Sequence, residues 1–287
     1  MKILPGRLIK GISVFFNSQM ARNQTRLLAL SPPLNENPIS LNILSICSEQ
    51  NIQDQFASMY SFWKHVGRPI SWKCISDGSI SKETQGKMEK YFPFLSVVDL
   101  NDFLKDSMHL ADLMKVIPEG LDVSNWRVKK LFLLWELSHQ NVLFCDSDIL
   151  FYPEFKHHLP LFENSDSHWF SANHDWGFLD AKYLENKSHK MYGINSGFTL
   201  FNGSDLDKKA ALSYISDLDF VDQFLDQTVM QIWFDTNKNI QVLNPIKFTT
   251  MMSDHFSLAL MPGTFAMRHF VRPVRHKLWQ SFKQQIL

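Results

Sequence analysis

The sequence predicts an α/β protein built on a mostly parallel central sheet flanked by helices. Three observations predict it. Short apolar runs of strand length recur at "SLNILSIC" (residues 40–47), "ISWKCIS" (70–76), "LSVVDL" (95–100) and "NVLFC" (141–145). Stretches with helical periodicity separate them, so the order is strand, helix, strand, helix, strand, the pattern of parallel strands joined by helical crossovers. The chain has 287 residues, 45% apolar and 20% charged, which suits a folded domain with a large core.

Each element has its own signal. Residues 1–40 end in "SPPLNENP", whose prolines read as a linker or surface crossing, so they are expected to be an N-terminal extension before a single domain at 41–287. In "NIQDQFASMYSFWKHVG", Ile52, Phe56, Met59, Phe62 and Trp63 recur at helical spacing, and Gly67 is placed to stop the helix. "SKETQGKMEKYF" predicts a second helix with Ser81 as its cap. "WRVKKLFLLWELSHQ" predicts a third, leading into "NVLFC". Beyond residue 150 the pattern is less regular. "INSGFTLFN", "IQVLNP" and "GTFAMRHF" read as strands, "VDQFLDQTVMQIWF" as a helix with an apolar face, and "HKLWQSFKQQIL" as a terminal amphipathic helix.

Composition narrows the partners. Lys plus Arg and Asp plus Glu both number 29, and a net charge of zero argues against a general nucleic-acid binder. No apolar run approaches the roughly 18 residues of a membrane span, which leaves only peripheral membrane contact open. Cys47, Cys74 and Cys145 are far apart and sit in apolar runs, so they are expected to be buried free thiols. With no recognisable signal peptide, a cytoplasmic location is expected.

Three Asp-x-Asp triplets occur: Asp146/Asp148, Asp205/Asp207 and Asp217/Asp219. The last two have polar surroundings and read as solvated carboxylates or helix caps. The first is set in "NVLFCDSDILFY", where apolar residues press on both sides. Buried carboxylates need a partner charge or a metal. Two of them two residues apart on a strand point the same way and suit a hard cation, Mn2+ or Mg2+. A glycine within a strand, as at Gly197, marks close approach of a ligand or another segment.

In order and spacing, these segments resemble the nucleotide-sugar glycosyltransferases of the GT-A fold, most closely family 8, the glycogenin and lipopolysaccharide galactosyltransferase group. The resemblance covers roughly residues 41–280 and carries its own expectations. "KKLFLLWELSHQNVLFCDSD" resembles the family's helix, strand and Asp-x-Asp, implying a donor-site role for Lys130 and metal ligation by Asp146 and Asp148. "INSGFTLFN" resembles its Asn-x-Gly segment, implying that Asn195, Ser196 and Gly197 lie at the donor sugar. "LDQTVM" resembles its Asp-Gln-Asp segment, placing Asp226 and Gln227 beside the sugar, although Thr228 departs from the third position and Asp222-Gln223 is a rival pair. "RHFVRPVRHKLW" resembles the closing segment, implying His269 as third metal ligand and Lys277 at the diphosphate. The spacing is two residues longer than usual, so Arg272 or Arg275 is a further candidate for the phosphate. Ser45, Cys47, Ser48 and Asp77, at the ends of the first two strands, are candidates for the nucleotide base.

The resemblance implies transfer of a sugar from a nucleoside-diphosphate donor, a UDP-sugar for preference, with retention of configuration. Asn195, Asp226 and Gln227 would be the catalytic set. The acceptor, whether carbohydrate, lipid-linked or protein, is not indicated, although aromatic and polar residues in "HWFSANHDW" suit a sugar. Alternatives are a non-catalytic sugar-nucleotide-binding protein, a nucleotidyltransferase of related fold, for which "SEQNIQDQ" lacks the glycine-rich loop, and a metal-dependent phosphohydrolase.

Overall fold

A computed structural model describes residues 30–105, 107–118, 122–173, 179–184, 193–218, 224–251, 264–271 and 274–285. The first half alternates as expected: β1 (Pro38–Cys47), α1 (Ile52–His65), β2 (Arg68–Ser76), α2 (Lys82–Tyr91), β3 (Leu95–Asp99), the short α3 (Leu100–Leu104) and α4 (Ala111–Val116), then α5 (Trp126–Leu137) and β4 (Asn141–Asp146). The remainder runs β5 (Ile149–Phe151), α6 (Leu159–Glu163), β6 (His168–Asn173), α7 (Ala181–Leu184), β7 (Gly193–Asn202), α8 (Lys209–Ser216), α9 (Leu225–Thr236), β8 (Ile240–Val242), β9 (Phe248–Met251), β10 (Met267–Phe270) and α10 (Leu278–Gln285). Ser81 caps α2 as predicted, its hydroxyl accepting the Thr84 amide.

Seven strands form one sheet in the order β3-β2-β1-β4-β7-β6-β8. Strands β3, β2, β1 and β4 are mutually parallel, β7 is antiparallel to both β4 and β6, and β8 is parallel to β6. The single reversed strand decides the site, because it brings the start of β7 to the carboxyl ends of β4 and β6. The central strands alternate between two apolar clusters: Ile43, Leu143 and Leu200 belong to one, and Leu44, Phe144 and Phe201 to the other. Period-two alternation assigns these to opposite faces of the sheet.

A second sheet, β5-β10-β9, stands beside the first, with β10 antiparallel to β5 and parallel to β9. Its existence alters two expectations. The run "NVLFCDSDILFY" is not one strand. β4 ends at Asp146 in the large sheet, the chain turns at Ser147 and Asp148, and β5 begins at Ile149 in the small one. The two aspartates therefore flank a turn between sheets instead of sharing one face of a strand. Helix α1 is also more than amphipathic: Ile52 and all of Asp54–Trp63 are buried, because α10 and β5 pack against it in addition to the large sheet. Strands β5, β6 and β9 were not anticipated; β5 has three residues and β9 four, too few for a periodic signal.

The segment before β1 is tied to α1 at Asn35. Asn35 accepts the Trp63 indole N–H through its carbonyl at 2.9 Å, and its side chain donates to the Lys64 carbonyl at 3.2 Å. Gly67, at the end of α1, has φ +149°, and a Cβ there would stand 2.5 Å from the Asn37 carbonyl oxygen. Both the dihedral and the contact exclude a side chain. Gly67→Ala should lower the free energy of unfolding by about 2 kcal/mol or more, read from urea denaturation.

Candidate active site

The site forms where β4 ends. Cys145 of β4 pairs with Phe198 of β7, which sets Asp146 beside Gly197. Ile149 of β5 pairs with His269 of β10, and the Asp148 carbonyl accepts the Phe270 amide at 2.9 Å. Asp146, Asp148 and His269 thus arrive from both sheets, and one ligand atom from each lies within 4.8 Å of the others. Asp148 is 1% and His269 3% exposed, and Asp146 is half-buried.

Every charge here is paired. Lys130 of α5 is buried, and its ammonium donates to Asp146 Oδ2 at 3.0 Å, lies 3.3 Å from Asp226 Oδ2, and donates to the Ser196 hydroxyl at 3.3 Å. The Ser196 hydroxyl in turn donates to Asp226 Oδ2 at 2.5 Å. Burial opposes the charge on Lys130, but the two carboxylates outweigh it and push its pKa up to about 12. Neighbouring Lys129 is only partly buried, which separates the two candidate lysines.

Asp148 is held between Arg275 and His269. Its Oδ1 faces His269 Nε2 at 3.1 Å, and its Oδ2 accepts Arg275 Nε at 2.8 Å and Arg275 Nη2 as well. Burial works against ionisation, yet Arg275 and His269 hold the carboxyl well below its usual range. Arg275 also donates to the Asn51 side chain at 3.3 Å and lies 4.0 Å from Asp54. Asp54 accepts the Trp279 indole N–H at 3.0 Å, tying α10 to α1.

A network of side-chain amides lies next to the candidate metal ligands. Asn195 Oδ1 accepts the backbone N–H of Gly197 at 2.9 Å and stands 3.0 Å from His269 Nδ1. Asn195 Nδ2 donates to Asn173 Oδ1 at 2.9 Å and to Gln227 Oε1 at 3.3 Å. Asn195 therefore has all four of its hydrogen-bonding positions on the protein, and holds His269 instead of offering an amide to a ligand. Gly197 lies under the ligands: a Cβ would fall 2.1 Å from His269 Cε1 and 2.7 Å from Asp146 Oδ2.

The residues fit a divalent cation. Because Asn195 Oδ1 is an acceptor, the proton on neutral His269 belongs on Nδ1, which leaves the Nε2 lone pair facing Asp148 Oδ1 at 3.1 Å and Asp146 Oδ2 at 3.7 Å. Three electron-rich atoms converging in this way are suited to a cation among them, either a second ring proton or a metal. Two carboxylate oxygens and an imidazole nitrogen, oriented from behind by Asn195, suit Mn2+ or Mg2+.

The other expected residues are spread more widely. Asp226, at the start of α9, is buried and belongs to the Lys130 cluster; Gln227 belongs to the amide network. Lys277 sits on the same short 3-10 turn as Arg275. Ser45 is 0% exposed and accepts the Trp72 indole N–H at 2.9 Å, so it faces the core, because β1 is a central strand covered on both faces. Asp77 is exposed at the end of β2, where its carboxylate accepts the Ser79 amide and hydroxyl. Arg272, Asp222, Gln223, His174, Asp175 and Trp176 lie outside the described residues. Trp169, at the other end of β6 from Asn173, lines an open groove of about 490 Å³ with His158 and Ile246. All three cysteines are buried free thiols. Asp207 accepts the Lys209 amide, as a helix-start carboxylate does. Asn173 and Asp54 were missed, Asn173 because no strand was assigned to "HWFSAN", and Asp54 because a lone acidic residue in a helix resembles a solvated one.

The galactosyltransferase LgtC, solved with donor and acceptor sugar analogues, matches with a TM-score of 0.52 at 14% identity, over 81% of this chain and 88% of that one. Mouse xyloside xylosyltransferase 1 matches at 0.53 and 13% identity, over 83% and 99%. The bifunctional glycosyltransferase WbbM matches at 0.51 and 12%, over 88% of this chain and 53% of its own. The chain has the GT-A fold. No family model and no curated protein matches it by sequence. Among the described residues of this GT-A chain, no helix is long and apolar enough to cross a membrane.

Two predictions follow from the site geometry. Gly197→Ala should displace His269 and Asp146 and weaken Mn2+ binding at least about tenfold, measured by calorimetry on the free protein. Asp54, whose carboxyl burial pushes up to about 7 from an ordinary 3.8, keeps a proton that the unfolded chain releases. Its contribution to stability therefore declines as pH rises through that window. Asp54→Asn should gain melting temperature over the parent at about pH 8 relative to about pH 5, and an equal difference at both would refute the buried acid.

Proposed function

We propose that this protein is a metal-dependent glycosyltransferase that moves a sugar from a nucleoside-diphosphate donor, a UDP-sugar, to an acceptor. The observation that carries the reading is the convergence of Asp146, Asp148 and His269 over Gly197, at the carboxyl end of β4, where open sheets of this kind bind ligands. The GT-A fold adds support, since glycosyltransferases share it.

On this reading, Asp146, Asp148 and His269 would hold Mn2+ or Mg2+. When bound, the metal supplies positive charge that counters the charge developing on the leaving diphosphate. The chain contributes the rest. Lys130 holds Asp146 and Asp226 in place in a buried setting. Asn195 presents Nε2 of His269. Arg275 holds Asp148 and, with Lys277 on the same turn, meets the diphosphate with cations, the guanidinium being suited to bidentate phosphate contact. Asp226 and Gln227 face the sugar, and Asp77 and the carboxyl ends of β1 and β2 take the nucleotide. Retention of configuration and a cytoplasmic location, in keeping with the buried thiols, belong to the same reading.

Titration of UDP with and without Mn2+ tests it. Binding should strengthen at least about tenfold with the metal, and Asp148→Asn should abolish that dependence. UDP binding indifferent to metal, or a fully metal-responsive Asp148→Asn, would sink the metal role. The anomeric configuration of the product, read by NMR, decides retention against inversion.

A further inference from the structure

Gln227 lies beside the metal ligands, and a side-chain amide can offer a ligand either an oxygen acceptor or two N–H donors. Which one it offers here is decided by two backbone groups of β7, the Gly197 N–H and the Ile194 carbonyl. The Gly197 N–H can only donate, so the side-chain atom of Asn195 that meets it at 2.9 Å is oxygen. The other end of Asn195 is then its NH2, and it points at Asn173 and Gln227. The atom of Asn173 facing that NH2 at 2.9 Å is therefore oxygen, and its own NH2 points elsewhere. That NH2 meets the Ile194 carbonyl at 3.0 Å, which can only accept, so a second backbone group fixes the same orientation independently.

Both amide groups consequently aim N–H at one atom of Gln227, Asn173 from 3.0 Å and Asn195 from 3.3 Å. Turning Gln227 over would set NH2 against two NH2 groups, and relieving that by turning Asn173 or Asn195 would set like against like at the Ile194 carbonyl or the Gly197 N–H. The inner atom of Gln227 is its carbonyl oxygen. Its Nε2 has no partner among the described residues.

We propose that Gln227 presents its amide N–H groups, and not its carbonyl oxygen, to the bound donor sugar, and that Asn173 is the positioning residue that enforces this. The inference rests on the glycosyltransferase reading for the identity of the ligand, but not for the orientation of the amide. It makes Gln227 a hydrogen-bond donor to sugar oxygens. It also removes Gln227 as a source of a lone pair at the anomeric carbon. Through Asn195 the same chain of bonds sets the proton of His269 on Nδ1, so one network governs a metal ligand and a sugar contact together.

The test begins on the free protein, labelled with 15N in its glutamine side chains, with the Gln227 signal identified by its loss in Gln227→Glu. The Gln227 amide protons should exchange with water as fast as those of exposed glutamines. In Asn173→Asp, whose carboxylate cannot donate to Gln227, the amide should turn inward and its protons slow at least tenfold. Amide protons already protected in the parent overturn the proposal, whether or not Asn173→Asp folds. A second arm adds Mg2+ with UDP-glucose, UDP-galactose or UDP-xylose. The Gln227 protons should shift with a sugar nucleotide and not with UDP. Shifts elsewhere in the site without one at Gln227 overturn the sugar contact. If no sugar nucleotide or UDP perturbs any signal, it is the glycosyltransferase reading that fails, and proton exchange still decides the orientation. For transfer, Gln227→Glu keeps both inner bonds and its fold, yet should lose at least tenfold in kcat/KM with UDP affinity unchanged. Retained activity would show that an oxygen suffices there.

Discussion

Burial of charge without loss of pairing is the constraint on which the candidate site depends. Lys130, Asp148, Asp226 and His269 are all nearly inaccessible, and Asp146 and Arg275 are partly so. An unpaired charge in such surroundings costs several kcal/mol, so each one dictates where its neighbours stand. Lys130 joins α5, β4 and α9 by touching Asp146 and Asp226, and Arg275 joins the turn before α10 to the turn after β4. The secondary structure frames the site, and these pairs fix its atoms.

The antiparallel strand β7 is what lets such a cluster exist. A parallel strand at that place would bring its carboxyl end to Asp146; the reversed one brings Asn195, Ser196 and Gly197. The missing side chain at Gly197 lets the His269 ring and Asp146 close over the backbone, and the buried N–H of the same residue, bonded to Asn195 Oδ1, sets the direction of that amide. Space and direction thus come from one residue, which is why a glycine in the middle of a buried strand is tolerated despite its weaker strand propensity.

Much of the fold was legible because its signals are local. Alternation of apolar runs with helical periods identified β1 to β4 and, between them, α1, α2 and α5, though not the short α3 and α4, and Ser81 and Gly67 punctuate as their chemistry requires. Asp146 and Asp148 were legible for a different reason: two carboxylates pressed between apolar residues need a partner, wherever it comes from; His269 was named only through the resemblance of its segment. Less was legible where the signal is relational. Asn173 stands in a strand too irregular to be assigned. Asp54 looks like a surface residue until α10 covers it. Ser45 looked available at a strand end, but β1 is central and its hydroxyl faces Trp72.

By itself, the sequence determined the α/β class, the alternation of its first half, and a set of acidic, basic and amide residues whose order suits a divalent cation and a phosphate. The class and the alternation follow from hydrophobic periodicity, and the Asp146/Asp148 pair from the cost of burying charge, both of which act along the chain; the rest of the set is what the resemblance to the glycosyltransferase segments implies. Only the tertiary structure decided that "CDSDILF" spans two sheets, that Arg275 rather than a more distant cation holds Asp148, and that Gln227 turns its oxygen inward. The physical reason is that hydrogen bonds have direction. The orientation of an amide or an imidazole depends on which donors and acceptors meet it from strands far apart in sequence, and that information exists only once the strands are packed.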